Sequence, residues 1–516
     1  MRLFLILALL APIFIGAGSA QVYFSKQIDW MHNYEALGFL TSNNNQNFLA
    51  IGGSFSLDPY LEQAFVARFD SIGDVQWRKV FLPSGSYFGG SRDAISVEGD
   101  YSLIMGSFYT IANGIENAQI FLIKINQFTG DTLWTKQYGN PGWHEFGEDM
   151  IRTKDGGFAI VGKTFLANNQ PPESILLLKI DSFGNQVFRK EYSIGTTGWT
   201  IAETPDSGFI LSCTMLYQGV CPGCTTSDYM NDFLVIKTDE FGNQQWFRKF
   251  SPWEWQQYSW GGFDIEPLPD STYIIFGNKF YKPFTQAFTY YSRYILFRFA
   301  DDGTLIDSTS FGGGDGTLFT VAIPIANHTF LALATESDYP NNSIGQTGVL
   351  LKISDALEVL WKKEYHISPP GLPVYDKFYD AVQMPDDGFI ICGRSYEDST
   401  KQNGWILRVD SLGCLEPGCD STISVHDPPT PEQDIGITLS PNPTSGQAQL
   451  TLTHLGAVLL GVRVLDVQGR VVSDVQYLRN DGWRECVLDL GGQPAGVYVL
   501  QVRTSEGWGV RKIVKQ

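Results

Sequence analysis

Four carboxylates, Glu145, Asp149, Glu254 and Asp264, stand near predicted loops and set the first chemical question. Glycoside hydrolysis needs two acids held across a sugar bond, one of them with a raised pKa. In a chain with 55 acidic residues such candidates arise by number alone, and no spacing pairs these four, so each is expected to be a solvated surface acid. The six histidines, His32, His144, His328, His366, His426 and His454, show no HExxH or other paired spacing, which leaves a zinc site without support. The glycine run at Gly312 lacks the GK[ST] ending of a phosphate cradle, and no GxSxG nucleophile elbow occurs. Calcium suits an acidic exported protein, but no calcium-loop spacing supports it, and no other cofactor is expected.

Cysteine usage fits an oxidising compartment, although the count of seven is odd. Cys414 and Cys419 in GCLEPGCD suit one short disulfide loop, and Cys221 and Cys224 in CPGC suit another. CPGC also has the form of a redox or metal pair, but the strand-to-helix context of the first and the second cysteine pair of the second are missing. Cys213 and Cys392 fall in apolar strands as buried thiols, and Cys486 has no evident partner.

Two segments are unusually aromatic. SPWEWQQYSWGG, from Ser251, carries Trp253, Trp255, Tyr258 and Trp260, and NKFYKPFTQAFTYYSRY, from Asn278, carries Tyr281, Phe284, Phe288, Tyr290 and Tyr291. Exposed rings of this kind stack on sugars or pack on a protein; the bland alternative is that they fill space under long loops. Trp253, Trp255, Tyr258, Trp260, Tyr281 and Tyr290 are the candidate ligand-binding aromatics.

The elements that must position these residues are repeats. At intervals of roughly 55 residues an apolar strand runs into a polar turn and usually an aromatic: FVARFDSIGDVQW from Phe65, FLIKINQFTGDTLW from Phe121, LLLKIDSFGNQVF from Leu176, FLVIKTDEFGNQQW from Phe233, ILFRFADDGTLI from Ile295, VLLKISDALEVLW from Val349 and WILRVDSLG from Trp405. Each is preceded by a tight-turn signal and another apolar stretch, as in EDMIRTK, DGG, FAIVGKT of the third unit, which gives four short strands per unit. The predicted fold is all-β: a seven-bladed β-propeller followed by a small Ig-like β-sandwich. Closing the ring removes the exposed sheet edges that an open stack would leave.

The seventh unit lacks its last strand, since VDSLG at Val409 leads to CLEPGC. VYFSKQI at Val22 resembles VQWRKVF at Val75, so Val22 to Ile28 is expected to complete the last blade and clasp the two ends. In an antiparallel blade the connections between strands two and three, and between blades, leave on one face. The long irregular loops fall there and the tight turns fall opposite, the split expected where loops carry recognition.

The ends of the chain carry other instructions. MRLFLILALLAPIFIGAGSA reads as a secretory signal cleaved after Ala20, too short and wrongly flanked for a membrane anchor, and no later run approaches a transmembrane span. The net charge of -19 offers no basic stripe for nucleic acid. Residues 21–420 form the propeller, the Pro-rich stretch 421–436 a linker, and 437–516 a second domain of short alternating strands.

Within that domain PNPTSG (Pro441, Asn442, Pro443, Gly446), DVQGRVV (Gly469), PAGVYVLQV (Pro494, Gly496, Tyr498) and the terminal RKIVKQ (Lys512) resemble the type A C-terminal sorting domain of the Bacteroidetes type IX secretion system. The resemblance covers about the last eighty residues. It implies Sec-dependent export and passage through the outer membrane by the type IX machinery, then release or attachment at the cell surface. The blades resemble propeller repeats found attached to such domains.

INQFTGDTLW at Ile125 resembles the tryptophan-docking repeat of pyrroloquinoline quinone propellers, but only this copy has the Thr-Gly and the family's vicinal cysteines are missing. Trp77, Trp134, Phe188, Trp246 and Trp361 therefore read as packing between blades. The sialidase Asp-box fails on spacing, and no arginine cluster for a sugar carboxylate is recognisable. The functional expectation is extracellular binding or adhesion to a glycan or protein ligand, with no catalytic motif. The alternative is a secreted polysaccharide-active glycosidase or lyase with its site on the long-loop face.

Overall fold

The computed structural model describes residues 24–516 apart from 29–33, 43–46, 58–59, 82–87, 97–99, 113–114, 168–172, 221–226, 251–258, 282–290, 315–316, 327, 338–345, 366, 368–375, 397–401, 416–436, 454–458, 466–470, 477–483 and 505–506. The described residues are all-β, without a helix, and the strands before 410 group into antiparallel meanders that match the sequence repeats.

After β1 (Phe24–Ile28), the first unit is β2 (Tyr34–Ser42), β3 (Phe48–Leu57), β4 (Tyr60–Phe69) and β5 (Val75–Phe81). The second is β6 (Phe88–Ser96), β7 (Tyr101–Ala112), β8 (Ile115–Asn126) and β9 (Thr132–Tyr138), and the third is β10 (Trp143–Arg152), β11 (Phe158–Leu166), β12 (Glu173–Ile180) and β13 (Gln186–Tyr192). The fourth is β14 (Thr197–Glu203), β15 (Phe209–Val220), β16 (Ser227–Thr238) and β17 (Gln244–Phe250), and the fifth is β18 (Ser259–Pro267), β19 (Thr272–Tyr281), β20 (Tyr291–Ala300) and β21 (Leu305–Gly314). The sixth is β22 (Leu318–Ile325), β23 (Thr329–Ser337), β24 (Gln346–Ser354) and β25 (Val359–Tyr365), and the seventh is β26 (Lys377–Gln383), β27 (Phe389–Tyr396) and β28 (Gln402–Val409).

Residue patterns explain the order within a unit. Third strands such as ESILLLKI and QNGWILRV are buried at nearly every position, as strands covered on both faces must be. Fourth strands such as QVFRKEY leave charged and polar side chains open and form the outer edge. The tight turn between first and second strands places Gly156 at φ 83°, a conformation glycine takes at no steric cost. In other units Ser207, Ser271, His328 and Asp387 take the same left-handed conformation.

β1 pairs antiparallel with β28, Phe24 opposite Arg408 and Ile28 opposite Gly404, so the N-terminal strand is the missing fourth strand of the seventh unit. Trp405 Nε1 donates to Ser25 Oγ at 2.9 Å, and Gln27 Nε2 to Ser395 Oγ at 3.0 Å. Val22 and Tyr23 lie outside the described residues.

The core is divided among the boundaries between units. Leu103, Leu122, Ile160 and Leu178 join the second and third units, and Ile175, Leu177, Leu211 and Leu234 join the third and fourth. Phe48, Phe65, Met384, Ile390 and Ile406 join the seventh to the first in the same way.

Past these units, β29 (Ile437–Ser440), β30 (Gln447–Leu452) and β33 (Glu485–Asp489) form one sheet. β31 (Leu459–Leu465), β32 (Val471–Gln476), β34 (Gly496–Thr504) and β35 (Gly507–Lys515) form a second. Leu450, Leu452, Val462, Leu488, Leu500 and Ile513 from both sheets fill one core.

Candidate functional site

One recurrent contact joins neighbouring units, and a second ties strands within a unit. At the turn between third and fourth strands an Asp or Asn accepts backbone N–H bonds from within the turn; Asp181 Oδ1 takes Phe183 at 2.9 Å and Asn185 at 2.7 Å. The glycine of that turn has positive φ, and an aromatic ring from the preceding unit covers it. A Cβ on Gly130 would stand 2.9 Å from Trp77 Cζ3, one on Gly184 3.2 Å from Trp134 Cη2, one on Gly242 2.8 Å from Phe188, one on Gly303 3.0 Å from Trp246, and one on Gly413 3.1 Å from Trp361. The reading of these five rings as packing between units stands. Phe24 of β1 covers Gly73 in the same way, and Lys26 Nζ meets Asp74 at 2.7 Å as Lys79 meets Asp131. In the sixth unit Leu357 takes the positive φ where the others have glycine.

Sequence reasoning missed a second device, although its signal is present in every copy: the basic residue near the end of the third strand. Lys179 Nζ meets Asp155 at 2.9 Å, Lys237 meets Asp206 at 2.8 Å, Arg298 meets Asp270 at 2.6 Å and Arg408 meets Asp386 at 2.5 Å, each joining the third strand to the tight turn. Burial acts to raise Asp155, but hydrogen bonds from Thr153, Lys179 and Gly157 hold it at about 2, and Asp206 is held at about 2 by the matching set.

The proposed acids prove to be of three kinds. Asp149 and Asp264 do not lie near loops; they sit inside β10 and β18, at register shifts between Gly147 and Asp149 and between Gly262 and Asp264. The shift re-aims the carboxylate along the free edge of the first strand, where backbone N–H groups have no strand partner. Asp149 accepts from Met150 at 2.7 Å and from Ile201 of the next unit at 2.8 Å. Asp264 accepts from Ile265 at 2.8 Å and from Ala322 of the next unit at 2.7 Å, with Thr200 Oγ1 at 3.3 Å. Glu145 is buried against Arg189 Nη1 at 2.5 Å and also accepts from Asn140 N at 2.9 Å. Glu254 lies outside the described residues.

Burial, with the charge of Asp149 behind it, pushes Asp264 up to about 7. Glu266, two positions along β18, is raised well above the ordinary carboxylate range by burial and then by Asp264 and Asp149. Asp149 and Asp264 are thus brought together, but as acceptors for strand-edge amides. Among the described residues no group of three or more His, Cys, Asp or Glu side chains could hold a metal ion.

The aromatic candidates divide. Trp253, Trp255, Tyr258 and Tyr290 lie outside the described residues. Trp260 is on β18 opposite Lys279, and Tyr281 ends β19 opposite Tyr291, with side chains outside the described part. Both positions are at the strand ends from which the long connections leave. Of the candidate disulfides, Cys414 is buried and disulfide-bonded, whereas Cys221, Cys224 and Cys419 lie outside the described residues. Cys213 and Cys392 are buried free thiols raised by burial, and Cys486 is also free.

The motif residues of the last domain meet at one end of its second sheet. Asn442 Nδ2 donates to Lys512 O at 2.7 Å and its Oδ1 accepts from Val514 N at 2.9 Å, so PNPTSG is stitched to RKIVKQ across 70 residues of chain. Gly446 N donates to Thr444 Oγ1 at 3.1 Å, and Tyr498 OH donates to Pro494 O at 2.6 Å. Lys515 Nζ donates to Leu490 O at 2.6 Å, Gly491 O at 2.9 Å and Gln493 O, capping the turn ahead of Gly496. Gly469 lies outside the described residues.

Residues 438–516 match the secretion system C-terminal sorting domain. That domain marks the protein for type IX secretion to the cell surface or extracellular space and implies contact with the secretion machinery. Ahead of it stand the antiparallel strand units between residues 24 and 409. No curated protein matches the chain. Among solved structures, the Pan2 WD40 domain of Neurospora crassa is 11% identical with a TM-score of 0.39, over 72% of this chain and 89% of that one. The β-propeller domain of the Trilobed protease from Pyrococcus furiosus is 10% identical with a TM-score of 0.36, over 75% and 98%. A mutant α-L-arabinofuranosidase from Fusarium graminearum, solved in complex with an iminosugar inhibitor, is 11% identical with a TM-score of 0.39, over 76% and 99%. Among the described residues no helix is long and apolar enough to cross a membrane.

Proposed function

We propose that the protein is an extracellular recognition module: a propeller of seven blades over residues 21–420, carried by an Ig-like sorting domain over 437–516 and used to bind a glycan or protein at its long-loop face. Residues 1–20 act as the export signal, 421–436 as the linker, and Cys414 with Cys419 as a lock on the propeller end. The blade count is supported by the pairing of β1 with β28 and by Phe24 over Gly73, which repeats the contact between units at the two ends of the chain.

The observation that carries the binding reading is the placement of the two aromatic segments. Trp260 and Tyr281 sit at the long-connection end of paired strands of one unit, and in the sequence each adjoins one of the two aromatic segments. The enzyme alternative has one observation in its favour, the upward-shifted carboxyl of Glu266 beside Asp264 and Asp149. Glu266 nevertheless lies toward the tight-turn end of β18, away from the long-loop mouth, and its two neighbours are engaged with backbone amides.

A polysaccharide and glycan panel on the exported protein, scoring binding and reducing-end release together, tests the choice. Binding without release that is lost when Trp253, Trp255 and Trp260 become alanine is the expected result. Release that disappears in E266Q establishes the enzyme, and silence on both readouts moves the reading to a protein partner.

A further inference from the structure

At the long-loop end of the boundary between the seventh and first units, two cations face each other, and among the described residues no acid pairs with either. Lys377 opens β26 and pairs across the sheet with Arg394 of β27. Tyr379, the extra residue at the register shift between Phe378 and Asp380, stands beneath both: Lys377 Nζ is 5.1 Å and Arg394 Cζ 5.8 Å from its ring centroid. All three side chains are half-buried.

Several buried or half-buried cations have carboxylate partners, as Lys179, Lys237, Arg189 and Arg408 do, and others, such as Arg68 and Lys515, donate to backbone carbonyls. Here Lys377 has no ion-pair or hydrogen-bond partner among the described residues. Arg394 spends Nη1 on Gln402 Oε1 at 3.2 Å and leaves Nε buried without a partner. The nearby Asp376 carboxylate accepts from Ile367 N at 3.1 Å, and the Asp380 carboxylate accepts from Ala381 N at 2.8 Å. Burial and then the Arg394 charge push the Lys377 ammonium down, a cost that a bound anion would relieve.

We propose that Lys377, Arg394 and Tyr379 form a binding site for a single carboxylate carried on a sugar ring, as on a uronate residue. The half-exposed ammonium of Lys377 and guanidinium of Arg394, side by side, suit a carboxylate, and the adjoining phenol ring suits a pyranose face. A net charge of -19 over the whole chain repels long polyanions, so the site takes one charge in isolation. That the carrier is a saccharide rests on the recognition reading of this face.

Calorimetric titration of the full chain with glucuronate, glucose, acetate and inorganic sulfate tests the site. Glucuronate is expected to bind, glucose and acetate to bind at least about tenfold more weakly, and K377M and R394Q each to lose about tenfold in affinity while K377R keeps most of it. In the unaltered protein the affinity should fall as salt rises, because a half-buried pair is still partly screened. Glucuronate affinity unmoved in K377M, or insensitive to salt in the unaltered protein, overturns the proposal, as does equal binding of sulfate. Equal binding of acetate overturns the saccharide carrier. Glycan binding through the tryptophans is measured separately and can persist when glucuronate fails.

Discussion

Asp264 holds one carboxylate against groups from three units: Thr200 behind it, Ile265 beside it and Ala322 ahead. Its folded pKa of about 7 lies above the ordinary 3.8, so the native state binds the proton more tightly than the unfolded chain. The stability this group contributes is complete below 3.8, declines as pH rises, and is gone once pH has passed through about 7. Thermal denaturation should therefore give a higher midpoint at pH 5 than at pH 8, and D264N should flatten that difference. Asp155 and Asp206 work in the opposite sense: held at about 2, they contribute fully above 3.8 and lose that contribution as pH falls toward 2. None of the three roles was legible in sequence. A carboxylate in a strand or a turn looks the same whether it faces water or a folded partner, and only strand register, with the bulge at Asp264, decides which.

At the scale of the strand and turn, the sequence was far more open to reading. The aromatic that follows most of these turns could be assigned to packing because it recurs along the chain, and in five units it covers the turn glycine one unit on. Removing one ring should loosen one boundary and leave the others whole. Trp134→Ala is expected to destabilise the propeller by about 1–3 kcal/mol, since the ring is partly exposed, with denaturant unfolding as the measure. The basic residue of the third strand recurs as faithfully, yet its partner lies 22 to 31 residues away in the four pairs it forms with tight-turn aspartates. Without register, nothing connects Lys179 to Asp155 or Lys377 to Arg394.

Over the whole molecule, closure depends on five residues at the N-terminus. β1 fills the edge of β28, Phe24 covers Gly73, and Lys26 meets Asp74. Deleting residues 22–28 from the mature chain should expose two edges at once and lower the thermal midpoint by more than any single core substitution. Limited proteolysis should then cut first in the first or seventh unit, whereas an unchanged midpoint would mean that the clasp is dispensable.

The sequence by itself determined the repeat, the missing last strand, its replacement from the N-terminus and the sorting domain. All of these are carried by local patterns of apolar residues, glycine and turn chemistry, which act through the chain's own periodicity. The tertiary structure decided which charges meet. Asp149 and Asp264 became supports between units, Glu266 an acid pushed upward by burial and its neighbours, and Lys377 with Arg394 a pair of cations with no acid partner among the described residues. Those outcomes depend on strand register, on bulges that turn a side chain from one face to another, and on burial that sets each group's pKa. Each is a property of residues far apart in the chain.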